Sequence, residues 1–315
     1  MNSVLRLLLS APIDFAVGGQ AVIEGVMMRS PNFYTVTVRD PEGKMQMKQE
    51  KFVSLLERFP FLKVPLLRGV IQLVESMRIG FRSLNYSNEV YTGIEEEEHK
   101  GFKKVLWTTF GILYGIFTLS FTLFLLKFLP LWVAEQASEL WPYVKEHYML
   151  FNAIDGLTKI AIFLSYLGLI SLIKDIRRVF QYHGAEHKSI WTYENHLPLT
   201  VENARKQTRF HPRCGTSFIF IVILMSVLVY TLIPPVESFW GMLGLRLAVI
   251  PLIAGISYEF LKFSAKWKNH PLVKLLVAPG LFLQKITTSE PDDTQLEVAL
   301  HSLKASLKVE EIPVA

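Results

Sequence analysis

The run from Trp107 to Leu129 constrains this chain more than any other stretch, because it carries no charged residue before Lys127. A helix rises about 1.5 Å per residue, so roughly 20 apolar residues reach across the ~30 Å hydrocarbon core of a bilayer. In lipid every backbone polar group has to be satisfied inside the protein, which leaves a helix as the structure such a run adopts. Trp107 and Trp132 bracket it, where amphipathic rings anchor at the membrane boundary. Three further runs follow: Leu157 to Ile173, Phe218 to Ile233 and Leu243 to Phe263. Asp155 and Lys159 lie at the start of the second; the last holds Pro251 and has Arg246 and Glu259 near its ends. Half of the 315 residues are hydrophobic, and their concentration in these runs predicts a mainly α-helical polytopic membrane protein with about four transmembrane helices. Leu272 to Leu283, with Pro279-Gly280, is too short to span comfortably and is expected to be interfacial or re-entrant. Leu5 to Pro12 is only about half a span, so it is expected to pack on the membrane surface or the protein core, not to act as a cleavable signal.

Charge sets the expected orientation. The formal net charge is +5, and Lys and Arg gather in the 174–215 loop and after the fourth run, at Lys266, Lys268 and Lys274. The two loops on the other side are acidic or nearly uncharged. Cationic loops stay in the cytosol, so both termini and the histidine-bearing loop are expected there, in a multi-pass protein of the cell (inner) membrane. No aromatic-basic recognition motif accompanies the basic residues, so the partner is the lipid bilayer and not a nucleic acid. A single cysteine excludes an internal disulfide framework and fits a reducing compartment. A transporter is disfavoured, since the ionisable residues of the spans lie near their ends and no inverted repeat is evident.

Three regions follow. Residues 1–106 form an N-terminal cytosolic α+β region. Gly18 to Arg29 is an apolar run punctuated by glycines, which favours strand with tight turns or close backbone approach. Tyr34 to Arg39 alternates, Asp40-Pro-Glu-Gly turns, and Lys44 to Lys51 alternates again, a hairpin pattern within a small antiparallel sheet of about three strands. Residues 52–90 favour helix broken at Pro60 and Pro65, with Leu66, Leu67, Val70, Ile71, Val74 and Met77 as an apolar stripe that lies in the interface or caps the sheet. Glu95 to Glu98 reads as a solvated linker or helix start. Residues 107–286 form the membrane domain, containing the loop 174–217, and 287–315 a cytosolic helical tail with acids near its helix start at Glu290 to Asp293.

The loop carries the chemistry, with four of the eight histidines and the one cysteine. His183 and His187 are four apart and share a helix face, with Glu186 beside them. In the His-x-x-Glu-His pattern two imidazoles bind zinc and the carboxylate takes a proton from water. His211 and Cys214, separated by Pro-Arg, make a tight knuckle that turns two more donors toward one point. Two such pairs, tethered by neighbouring spans, suit zinc or another divalent transition metal. Four protein ligands make a closed structural site and three an open catalytic one, and Glu194 or Glu202 competes with His211 and Cys214 for the remaining positions. Arg205, Arg209 and Arg213 either contact a lipid phosphate or acidic substrate or simply obey the topology rule. Glu24 and Arg29, ionisable within an apolar run, are either a paired structural charge or part of the site.

The blocks Gly18-Gly-Gln-Ala-Val-Ile-Glu-Gly-Val-Met-Met-Arg29, His183-Gly-Ala-Glu-His-Lys188 and Glu202-Asn-Ala-Arg-Lys-Gln-Thr-Arg-Phe-His-Pro-Arg-Cys-Gly-Thr-Ser-Phe218 resemble the YqhQ-like family of bacterial membrane proteins. The likeness extends to the Glu290 to Asp293 tail. That family is functionally uncharacterised and described as predicted metal-dependent enzymes. The resemblance implies a multi-span membrane protein with His183, His187, His211 and Cys214 as site positions, and it supplies no substrate. The resulting expectation is a metal-dependent membrane hydrolase acting at the cytosolic face on a membrane-associated protein or lipid, with Glu186 catalytic. The alternative is a non-enzymatic membrane scaffold or assembly factor with a structural metal site.

Overall fold

A computed structural model describes residues 17–94, 101–212, 214–266 and 270–309. Leu5 to Pro12, the Glu95 to Glu98 run and Arg213 lie outside the described residues. The N-terminal region is a four-stranded antiparallel meander in the order β1 (Gly18–Val22), β2 (Gly25–Arg29), β3 (Phe33–Arg39), β4 (Met45–Lys51). The glycine-punctuated run thus makes two strands, giving one more than the three expected. The tight turn between them is made at Glu24, which adopts a left-handed φ of 49° without being glycine, and nothing in its side chain announces that.

Period-two alternation splits the sheet into two buried faces. Val22, Met27, Tyr34, Val36 and Val38 point to one side, where Ile79 of the helix α2 (Leu67–Thr92) covers them. Val26 and Met28 point to the other, into a core with Tyr182 and Ala185 of α7 (Lys174–Glu194) and Leu296, Leu300 and Leu303 of α13 (Asp293–Val309). The sheet is therefore the middle of three layers, and residues far apart in sequence are brought to it. The polar strand β4, with Lys48 and Lys51, closes one edge, which discourages pairing with another chain.

Helix α2 follows a short helix α1 (Leu55–Arg58) and a 3-10 turn at Pro60–Lys63. It turns Gly69, Glu75, Ile79, Gly80 and Ser83 inward. Its apolar stripe faces outward, with Val74 59% and Phe81 62% exposed. The helix thus caps the sheet through Ile79 together with small and polar residues, and its outward side is apolar and exposed.

Among the described residues, three helices are long and apolar enough to cross a membrane, or four if a bent pair makes one span. The first is α3 (Gly101–Leu123), continuing through a π-helical turn at Phe124–Phe128 into α4 (Leu129–Leu140). A short α5 (Pro142–Glu146) leads to the second, α6 (Tyr148–Ile170). After α7 and a one-turn α8 (Val201–Arg205), the third is α9 (Gly215–Leu232). The bent pair is α10 (Phe239–Ala248) with α11 (Ile250–Lys266), angled by 45°. Helix α12 (Pro271–Thr287) then packs on α9, its Gly280 against Ser217.

The second span starts at Tyr148, not near Leu157, so Asp155 and Lys159 lie inside the helix and not at its start. The physical reason is pairing. Asp155 is fully buried, contacts Lys159 and lies 2.9 Å from Arg246 Nη1. Arg246 also donates to Asn152 Oδ1 at 2.5 Å, and its guanidinium carbon sits 4.5 Å above the Tyr230 ring. Charges that satisfy one another need not mark a helix end.

Candidate metal centre

Helix spacing brings the first donors together. His183, Glu186 and His187 occupy one face of α7, and Tyr182, Ala185 and Ile190 on another face anchor that helix in the sheet core. Gly184 is where the backbone of Ser289 presses on α7; a Cβ there would collide with the Ser289 carbonyl oxygen. Cys214 arrives from elsewhere, as the N-cap residue of α9. The knuckle before it is a turn closed by Cys214 N–H donating to the His211 carbonyl at 3.3 Å. Gln284 of α12 fixes that turn. Its Oε1 accepts from His211 N–H and its Nε2 donates to His211 O, both at 2.7 Å, and Nε2 also donates to Ser217 Oγ at 3.1 Å.

Ligand atoms of His183, His187 and Cys214 lie within 4.8 Å of one another. His183 Nε2 is 3.1 Å from Cys214 Sγ. The outer ring nitrogens are tied to carbonyls: His183 Nδ1 to Thr287 O at 2.8 Å and His187 Nδ1 to Arg209 O at 2.6 Å. A carbonyl only accepts, so each Nδ1 carries a proton and Nε2 is the ring atom left to face a cation. Carbonyls behind ligating imidazoles are the usual outer partners of a metal site, because they fix the tautomer and aim the ring. Two imidazole nitrogens and a thiolate fit zinc and exclude hard cations such as magnesium.

Glu186 Oε2 stands beside these atoms, 3.6 Å from His187 Nε2 and 3.8 Å from His183 Nε2. Strand β1 closes the site over it: a Cβ on Gly19 would sit 2.6 Å from Glu186 Cγ, so only glycine lets the strand approach this closely. Charges are coupled across the cluster. Burial alone would lower His183, but the Cys214 thiolate and Glu186 hold it up at about 9. Burial alone would raise Cys214, but His183 and His187 hold it well below its ordinary range. The position at a helix N-terminus acts in the same direction.

Other anticipated residues fall into distinct places. His211 lies one ring behind the cluster, its centroid 5.6 Å from His187 and 4.9 Å from Trp191, and its Nε2 is 3.4 Å from Glu194 Oε1. Glu202 is exposed on α8. Arg205 pairs with Asp293, and Arg209 donates to Thr288 Oγ1 at 2.9 Å. Lys188 reaches Glu290 at 2.7 Å. The basic run of the loop is thus matched to the acids of the tail. Glu24 is clamped by Arg178 of α7 and accepts from Tyr182 O–H at 3.2 Å. Arg29 stands apart, 4.5 Å above the Phe52 ring on the other face of the sheet. Gly19, Gln284 and Thr287 went unremarked as site residues in the sequence. Only the glycine punctuation of the first block pointed to any of them.

A family profile described as "Protein of unknown function (DUF1385)" matches residues 64–309, which span α2, the cluster and the tail helix. The chain is 36% identical over 309 residues to the "Uncharacterized protein YqhQ" of Bacillus subtilis (strain 168), covering 94% of each chain. No solved structure matches.

Proposed function

The chain belongs to the DUF1385 family, and from that premise we propose that it is a zinc-dependent hydrolase of the cell (inner) membrane. Its site faces the cytosol just under the bilayer. One observation carries this reading: two imidazoles whose Nδ1–H groups are spent on backbone carbonyls aim their Nε2 atoms, with a thiol, at one point. Three protein donors leave a fourth position for water or substrate, the catalytic arrangement. Zinc held by His183, His187 and Cys214 would supply a Lewis acid there. Glu186 Oε2, within 3.8 Å of both Nε2 atoms, is placed to take up and hand on a proton within the site. His211, backed by Glu194 and locked by Gln284, holds the Arg209 to Cys214 turn in register with α7. Excess Lys and Arg beside the spans supports the orientation, with both termini in the cytosol. The substrate class is a membrane-associated protein or lipid presented at that face.

Burial favours one competing reading. The His187 side chain is only 2% exposed and Cys214 is buried, as in a structural zinc site within a scaffold or assembly factor. The two separate by experiment. Elemental analysis of the detergent-purified protein should find about one zinc per chain, absent from His187→Ala. Glu186→Gln should keep metal and abundance but lose complementation of a knockout. Wild type without metal ends both readings, and a Glu186→Gln variant that complements fully leaves only the scaffold.

A further inference from the structure

On the face of the sheet opposite the cluster, a cavity of about 680 Å³ opens between β1–β2, the start of α2 and α11. Its charged lining is one-sided: Arg29, Lys63, Arg68 and Lys262 against Glu57 alone. Two further acids lie nearby, and both are occupied. Glu259 forks onto Arg68, with Arg68 Nε at 2.6 Å. Glu75 accepts from Ser54 Oγ at 2.9 Å and from Leu55 N–H at 2.6 Å, capping α1. Lys63 and Lys262 form no ion pair among the described residues.

Arg29 is the informative member. It is half-buried at the end of β2, stacked on Phe52, and its guanidinium donates no hydrogen bond to a described residue. Desolvation draws it below its ordinary value, and the field of Glu75 only partly opposes this. A guanidinium has five N–H donors in a planar fork, and where Arg29 lines the cavity they can take a ligand's oxygens in place of water. By contrast, Arg68 donates to Glu259, Arg209 to Thr288 and Arg246 to Asn152.

We propose that this cavity is the binding site of a phosphate ester, its phosphate taken by the fork of Arg29 and neutralised by Lys63 and Lys262 at the mouth. The fork matches phosphate oxygens two at a time, and the two ammonium groups supply the remaining charge of a dianion. The volume lies in the usual range for an organic ligand and far exceeds a bare phosphate. Gln72 and Ser76 on its wall offer donors and acceptors to a glycerol or sugar body. Phe61 and Val64, flanking Lys63 in the chain, are exposed apolar residues, and the apolar stretch of the bent helix pair ends at Ser264, two residues after Lys262. A phosphate ester carried on a lipid headgroup therefore fits as well as a soluble one. The site stands independently of the metal.

The test titrates purified full-length protein with inorganic phosphate, glycerol 3-phosphate and a short-chain phosphatidic acid, read by calorimetry and thermal shift. At least one ester should bind saturably and more tightly than inorganic phosphate. Arg29→Gln should weaken it by about tenfold or more, the loss of one charge-assisted fork. Binding of the lipid alone assigns a headgroup; binding of glycerol 3-phosphate as well assigns the soluble ester. The proposal is overturned if neither ester binds, if inorganic phosphate binds as tightly as both, or if Arg29→Gln binds like wild type. Should Arg29→Gln fail to fold, the double surface variant Lys63→Gln/Lys262→Gln decides: a severalfold loss with less salt dependence supports the site, and unchanged affinity overturns it.

Discussion

Asp155 is the residue whose loss this fold should feel most. Its carboxylate is fully buried in α6 and meets two cations, Lys159 one turn on and Arg246 from α10. The Lys159 and Arg246 side chains are each 4% exposed, so neither reaches water when its partner goes. Asp155→Asn keeps the volume, removes the charge and leaves two buried cations with no anion between them. Breaking a buried pair from one side costs about 3–5 kcal/mol. At roughly 2–4 °C per kcal/mol for a domain of this size, the melting temperature in detergent should fall by about 10 °C. Intrinsic tryptophan fluorescence during a thermal ramp reads this directly. The double variant Asp155→Asn/Lys159→Met removes one stranded cation along with the anion and should recover part of the loss. A single variant that melts within about 2 °C of wild type, or a double variant no better than the single, would refute the account of this network as a mutually dependent ion cluster.

Three other outcomes are expected. Gly19→Ala should destabilise by about 1–3 kcal/mol, since the new methyl meets Glu186 Cγ at 2.6 Å and Met27 O at 2.8 Å, whereas Gly18→Ala, with open space around it, should change stability by under about 0.5 kcal/mol; chemical denaturation compares the pair. In metal-free protein the Cys214–His183 pair should make a thiolate visible by its ultraviolet absorbance at neutral pH. The signs run in opposite directions. His183 is raised from 6.5 to about 9, so its contribution to stability is complete below 6.5 and is lost as pH climbs through about 9. Cys214 is lowered, so its contribution is present above the ordinary thiol value and lost as pH falls through the depressed one. His183→Gln should move the thiol titration upward, and a wild-type titration at the ordinary thiol value would contradict the pairing. Finally, Gln284→Ala should lower metal content more than Glu202→Gln does, because Gln284 holds the turn that delivers Cys214 while Glu202 is exposed; metal analysis of the two variants checks it.

Legibility in the sequence followed the physics of each element. The long apolar helices were readable as unbroken runs nearly free of charge, and the β3–β4 hairpin because alternation flanked a turn. Asp155, Lys159 and Arg246 misled: polarity read one residue at a time marks helix ends, and only the packing of α6 against α10 shows the charges meeting inside. The stripe on α2 was visible, but its inward face is built from Gly69, Glu75, Gly80 and Ser83, which no apolar pattern reveals. In the site, the four-residue spacing of His183 and His187 and the knuckle from His211 to Cys214 pointed to four donors with Glu194 or Glu202 as rivals, and the structure groups only His183, His187 and Cys214. The partnership of His211 with Glu194 did not follow from spacing, since it depends on how the turn before α9 folds back over Trp191. The contribution of Gln284 crosses more than sixty residues of chain and leaves no local trace.

Strand β1 is bonded to the sheet through β2 alone. Its departure would break a single backbone ladder, leaving the other three strands paired. That one event would admit solvent to Glu186 on one side and remove a wall of the Arg29 chamber on the other. Five residues of extended chain therefore couple the hydration of two chemically unlike sites.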